Sequence, residues 1–184
     1  ASAARVHVTD AGFVLGTTVA EQVRTFGGLL FRLDDHLERL MHSLAFLGLE
    51  PQIRRDQLAR LGDEIVQQNY RLLSPGDDLG LSIVVTPGGY PTFGDLGLAK
   101  PTLCLHTYPL PFSFWADKYR TGQRLVTTDV QQVPEKCWPP GLKCRSRMHY
   151  YLADRQAKNR DPEARALLLD AEGFVTEAST ANIL

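Results

Sequence analysis

Between Val6 and Leu33, apolar runs alternate with turn residues: Val6 and Val8, Asp10-Ala11-Gly12, residues 13–15, Gly16, residues 19–26, Gly27-Gly28 and residues 29–33. The alternation predicts strand, turn and strand, with Gly27-Gly28 as a two-residue hairpin turn whose backbone glycine tolerates best. Asp34 or Asp35 is placed to cap a helix in which Leu37, Leu40, Met41, Leu44 and Leu47 recur at helical spacing, and Gly48 is placed to stop it. A second helix is predicted from residue 55 to about 72, with Leu58, Leu61, Ile65 and Tyr70 inward, ended by Ser74-Pro75-Gly76. Strands at 79–85 and 102–107 flank a Gly/Pro-rich loop over residues 86–94.

In residues 108–112, Pro109 and Pro111 favour an extended chain that does not enter a sheet interior. Residues 108–113 are therefore read as a linker between an N-terminal α/β domain, 1–107, and a C-terminal domain, 114–184. The second domain reads as a strand at 123–130, a turn-rich stretch at 133–141, a helix at 146–158, a strand at 166–169, a turn at 170–173 and a strand at 174–176. The chain starts on Ala1 and stops within the apolar run Ala181-Asn182-Ile183-Leu184, which reads as a fragment with its second domain cut short. The fold class is mixed α/β (α+β) in two domains.

Composition narrows the function classes. Lys plus Arg number 20 against 21 Asp plus Glu, a formal net charge of −1, so no general positive field exists to hold nucleic acid or an anionic membrane. Apolar stretches such as residues 79–85 are too short to span a bilayer. Three cysteines, Cys104, Cys137 and Cys144, form no CxxC pair, which fits reduced thiols in a cytoplasmic, soluble protein better than a disulfide framework or a zinc site. His36, His42 and His149 lack metal-ligand spacing, and Gly12-x3-Gly16 is neither a dinucleotide fingerprint nor a P-loop.

Three residues stand out chemically. Lys143 follows the rigid run Pro139-Pro140-Gly141-Leu142 and precedes a predicted helix, whose dipole would favour the neutral amine that a nucleophile needs; the alternative is a solvated loop lysine. Glu177 follows Phe174-Val175-Thr176 and precedes Ala178-Ser179-Thr180, a strand end where a carboxylate can hold a protonated heterocyclic nitrogen; the alternative is an exposed turn glutamate. Arg39, between Leu37 and Leu40, can grip a phosphate with its guanidinium fork or pair with Asp35 one helical turn away.

Residues 10–28, with Phe31-Arg32-Leu33-Asp34-Asp35-His36-Leu37-Glu38-Arg39-Leu40, resemble the opening of the class IV aminotransferases, the fold-type IV pyridoxal phosphate enzymes. Leu142-Lys143-Cys144-Arg145-Ser146-Arg147, Tyr150-Tyr151-Leu152-Ala153 and residues 166–182 resemble later blocks of the same family, in the family's order. The family includes branched-chain aminotransferases, D-amino-acid aminotransferases and aminodeoxychorismate lyases.

The resemblance implies the two-domain fold-type IV architecture, a pyridoxal 5'-phosphate cofactor, amino-acid and 2-oxo-acid substrates, and a homodimer. It implies that Lys143 forms the Schiff base, Glu177 holds the pyridine nitrogen and Arg39 contacts the cofactor phosphate. Arg147 stands roughly where many members carry a tyrosine beside the cofactor's phenolic oxygen. On the strand over residues 19–26, Ala20, Gln22 and Arg24 share one face, and Val19, Glu21 and Val23 the other. The first three are the implied substrate-pocket residues. Ala20 opens space and Gln22 adds a polar group where branched-chain enzymes resemble Phe and Gly. The expected activity is amino transfer, branched-chain aminotransferase-like; the alternatives are a pyruvate-eliminating lyase of the same family and an inactive, cofactor-poor relative or fragment.

Overall fold

The computed structural model describes residues 4–50, 53–93 and 100–183. Contacts divide the chain into two units, one formed by residues 1–110 with 141–146, the other by 111–140 with 147–184. The short stretch carrying Lys143 thus clusters with the first unit rather than with the rest of residues 114–184.

In the first unit, β1 (Val19–Phe26) turns back into β2 (Leu29–Leu30), and the helices α2 (Leu33–Phe46) and α3 (Arg55–Tyr70) precede β3 (Leu79–Thr86) and β4 (Thr102–Pro109). The strands form one antiparallel sheet in the order β2-β1-β3-β4. The hairpin falls at Gly27 and Gly28, as the pattern predicts, with φ of 58° and 78°. Beneath it, Asp78 accepts hydrogen bonds from Thr25 Oγ1 (2.7 Å) and from the backbone N–H groups of Gly27 (3.2 Å) and Gly28 (3.1 Å). Burial raises the carboxyl pKa, but these donors outweigh it and hold Asp78 below the ordinary aspartate value.

The core lies between one sheet face and the two helices. Val19 and Val23 of β1, with Leu79, Leu81, Ile83 and Val85 of β3, pack with Leu37, Leu40 and Leu44 of α2 and Leu58 and Val66 of α3. Several expectations are corrected in detail. Residues 13–15 are no strand: α1 (Ala11–Val14) is a helical turn capped by Asp10, which accepts from Gly12 N at 2.7 Å. The N-cap of α2 is Arg32, in a left-handed conformation, and Asp34 and Asp35 lie in the first turn, where their charge favours the helix dipole. In α3 the inward face is Leu58, Gly62 and Val66, while Leu61 remains 39% exposed. Tyr108 and Pro109, expected in the linker, complete β4; this is an edge strand, where the missing N–H of proline costs no ladder bond. The loop expectation over 86–94 is described only to residue 93, with a 3-10 turn at Pro91–Phe93; Gly94 and the final Leu184 lie outside the described residues.

The second unit opens with two short helices that the pattern did not predict, α4 (Phe112–Ala116) and α5 (Lys118–Thr121). Then β5 (Leu125–Thr127), α6 (Met148–Arg160) and β6 (Arg165–Leu169) form a parallel crossover, and β7 (Val175–Ala178) pairs antiparallel with β6. Its core is small. Ala153 and Ala157 of α6 lie against Ala166 and Leu168 of β6, side chains short enough to let the helix approach the sheet closely. Asp154 ties this unit together: its Oδ1 accepts from Ala166 N (2.9 Å) and Ser179 Oγ (2.5 Å), and its Oδ2 from Arg165 (3.0 Å).

Candidate functional site

In the first unit the Lys143 segment lies along the start of β1. Ala20 N donates to the Lys143 carbonyl at 2.9 Å, Arg145 N donates to Thr18 Oγ1 at 2.8 Å, and Ser146 Oγ donates to the Gly16 carbonyl at 2.6 Å. Val19 and Cys144 form a β-bridge. Two residues singled out separately in the sequence, Lys143 and Ala20, are thereby brought side by side. The helix expected from residue 146 begins at Met148, with Arg147 as its N-cap.

Ala20, Gln22 and Arg24 do share a face, the one turned away from the helices. The register sets Val84 and Cys104 level with Ala20, Ser82 and His106 level with Gln22, and Gly80 and Tyr108 level with Arg24. Arg24 Nε donates to the Thr25 carbonyl at 3.2 Å, and its guanidinium lies 3.8 Å from the Phe26 ring centre. Tyr108 covers Gly80 so closely that an added Cβ there would stand 2.3 Å from its ring. The face is a mixed polar and aromatic wall on which Ala20 is buried and Gln22 is exposed.

On the opposite face, Glu21 stands among Val19, Val23 and Thr25, and its side chain has no solvent exposure. Its two oxygens receive both Nε (2.5 Å) and Nη2 (2.7 Å) of Arg39, and Oε2 also meets His36 Nδ1 at 2.8 Å. Burial pushes the Glu21 pKa up, but the hydrogen bonds from Arg39 and His36 prevail and hold it below the ordinary value. The same bond to Glu21 raises Arg39 further. Arg39 is therefore not paired with Asp35, which takes Arg32 instead. Its Nη1 has no partner among the described residues, and its side chain is 46% exposed, so one edge of the fork remains available to an anion. Sequence reasoning missed Glu21, although the signal was there: a lone carboxylate in an apolar inward column requires a cationic partner.

In the second unit Glu177 sits on β7, paired with Leu168. Its Oε2 accepts from the Tyr150 hydroxyl, while Oε1 has no partner among the described residues. The Arg147 guanidinium lies 4.1 Å from the Tyr150 ring centre, and Nη2 donates to the Ser179 carbonyl at 2.6 Å. Burial, and then the bond to Glu177, push the Tyr150 hydroxyl up to about 12. Burial and the Arg147 charge lower His149, against a smaller opposing pull from Glu177. Sequence inspection singled out Glu177 and Arg147 but gave Tyr150 no role.

The donor set fits pyridoxal phosphate: a lysine amine, a carboxylate with one oxygen unpartnered among the described residues, and an arginine with one edge open to an anion.

The amino-transferase class IV sequence profile matches residues 18–184. A Methanocaldococcus jannaschii protein named "Putative branched-chain-amino-acid aminotransferase" is 30% identical over 185 residues, covering 98% of this chain and 59% of that protein. The D-alanine aminotransferase of Bacillus licheniformis is 28% identical over 181 residues, covering 97% and 59%. Among solved structures, the branched-chain amino acid aminotransferase of Escherichia coli matches with a TM-score of 0.81 at 18% identity, covering 97% of this chain and 59% of that one. That likeness shows the shared fold. This chain thus spans less than two thirds of the length of these relatives. With a profile matched over most of its length and a mixed α/β fold-type IV architecture, the chain belongs to the class IV aminotransferases.

Proposed function

We propose that the whole protein is a pyridoxal-phosphate-dependent aminotransferase that moves the amino group of an amino acid to a 2-oxo acid, acting as a homodimer like other members of its family. The observation that carries this reading is the hydrogen bond from Ala20 N to the Lys143 carbonyl, which sets the candidate lysine at the head of the candidate pocket strand. Support also comes from the curated relatives, whose names are those of branched-chain and D-alanine aminotransferases.

Pyridoxal phosphate, when bound, supplies a carbonyl carbon for the amine and an electron sink for the charge left at Cα. Lys143 Nζ would be the base that takes the Cα proton and the acid that delivers it to the carbon two bonds away, and it must be neutral when it accepts. Glu177 Oε1 takes a hydrogen bond from the ring N–H and, by its charge, keeps that proton in place. Arg39 directs Nη1 at a phosphate oxygen while Glu21 holds its other edge. Arg147, with Nη2 committed to Ser179, offers its remaining charge to an oxyanion nearby. Ala20 adds little bulk to the pocket face, and Gln22 and Arg24 give it polar groups that a purely aliphatic substrate does not need.

The test is borohydride reduction of the full-length protein with pyridoxal phosphate, followed by peptide mapping. Label on Lys143 is expected, and label on another lysine would overturn the assignment. Amino transfer that depends on an added 2-oxo acid is the expected activity; pyruvate release from aminodeoxychorismate without such transfer would favour the lyase.

A further inference from the structure

We propose that Tyr150 is a positioning residue that holds the Glu177 carboxylate with Oε1 presented to the cofactor's ring nitrogen. The inference rests on the reading of Glu177 given above and extends it to a residue that the sequence did not single out.

The direction of every hydrogen bond in this small network follows from one backbone group. Val133 N donates to Gln132 Oε1 at 3.1 Å, which fixes the Gln132 amide with its oxygen toward the backbone and its Nε2 outward. Nε2 then donates to the Tyr150 hydroxyl oxygen at 3.3 Å. With Gln132 supplying a proton to that oxygen, the phenol directs its own proton to Glu177 Oε2. Oε2 is thereby an obligate acceptor, and Oε1 is the oxygen left to meet a partner.

Both ends of the chain are anchored. Gln132 N donates to the Leu169 carbonyl at 2.8 Å, at the end of β6, and Glu177 is held by its pairing with Leu168 on the same strand. The Tyr150 ring has two further neighbours, the Arg147 guanidinium, 4.1 Å from its centre, and the His149 ring, with centres 4.3 Å apart. A glutamate on a strand has several rotatable bonds, and holding one oxygen removes most of that freedom before the cofactor arrives. The phenol also stays protonated through the ordinary pH range, since its hydroxyl is pushed up to about 12.

The experiment measures dissociation constants of pyridoxal phosphate and of its 1-deaza analogue, in which CH replaces the ring nitrogen, for full-length wild type, Tyr150→Phe and Glu177→Gln. Tyr150→Phe is expected to weaken pyridoxal phosphate about tenfold, the scale of one charge-assisted hydrogen bond, and to leave the deaza analogue within about twofold. Gln132→Leu, which keeps the phenol but removes its anchor, is expected to show the same selectivity at about threefold. Equal weakening of both compounds by Tyr150→Phe would reduce Tyr150 to a packing role and overturn the proposal, as would no weakening of either. If Glu177→Gln fails to distinguish the two compounds, Glu177 does not face the ring nitrogen, and the proposal falls with that reading. If Glu177→Gln distinguishes them and Tyr150→Phe does not, only the role of Tyr150 is lost.

Discussion

A buried carboxylate is stable only when something nearby makes its charge worth keeping. Glu21 meets that condition through Arg39 on two bonds and His36 on one, so α2 is fastened to β1 at the residue proposed to take the phosphate. Because Arg39 is half in solvent, the pair is worth less than a fully buried one, and Glu21→Gln is expected to cost about 1–3 kcal/mol by urea denaturation. The pH dependence follows from the direction of the shift. The folded-state pKa of Glu21 lies below its ordinary 4.5, so the pair's contribution is fully present above that value and is lost as the pH falls through the folded pKa. Thermal midpoints taken from about pH 6 to about pH 3 should therefore fall further for wild type than for Glu21→Gln. Parallel curves would mean that Glu21 carries no acid-sensitive stability.

At the scale of elements, spacing and packing part company in α3. The apolar positions Leu58, Leu61 and Ile65 are all compatible with one helical stripe, yet the sheet meets the Leu58, Gly62 and Val66 row. Gly62 accounts for the choice, since a Cβ there would stand 3.1 Å from Leu81 of β3; the helix approaches the sheet on its least bulky line. Leu58→Ala should cost about 2–5 kcal/mol and Leu61→Ala less than about 1 kcal/mol, measured as shifts in denaturation midpoint. A similar logic governs the hairpin. Gly28 combines a φ of +78° with the Tyr70 ring 2.7 Å from any added Cβ, whereas Gly27 has open space, so the two glycines that look alike in the sequence meet different constraints.

For the whole molecule, the two units differ in how much apolar surface each encloses. Among the described residues, eleven buried side chains make the core of the first, and four, three of them alanines, make that of the second. Local stability follows enclosed apolar area, so amide exchange read by mass spectrometry should be slower in β1 and β3 than in β6 and α6. Within the second unit Asp154 offsets part of the deficit. Burial raises its pKa, and its bonds to Ser179, Ala166 and Arg165 lower it by more, which leaves an ionised carboxylate holding α6 to β6 and to the residue after β7. Among the described residues no helix is long and apolar enough to cross a membrane.

The sequence by itself determined the order of the main elements, the glycine hairpin, the inward row of α2, the shared face of Ala20, Gln22 and Arg24, and the family. All of these depend on periodicity, on single-residue backbone preference, or on short ordered blocks, which are local properties. Only the tertiary structure decided that Arg39 meets Glu21 rather than Asp35, that Lys143 lies against Ala20, that Ser146 bonds to Gly16, and that the Tyr150 hydroxyl bonds to Glu177. These contacts join residues 18, 123, 130 and 27 positions apart. Their partners are selected by where strands and helices pack, so no window of the sequence contains both halves of the choice.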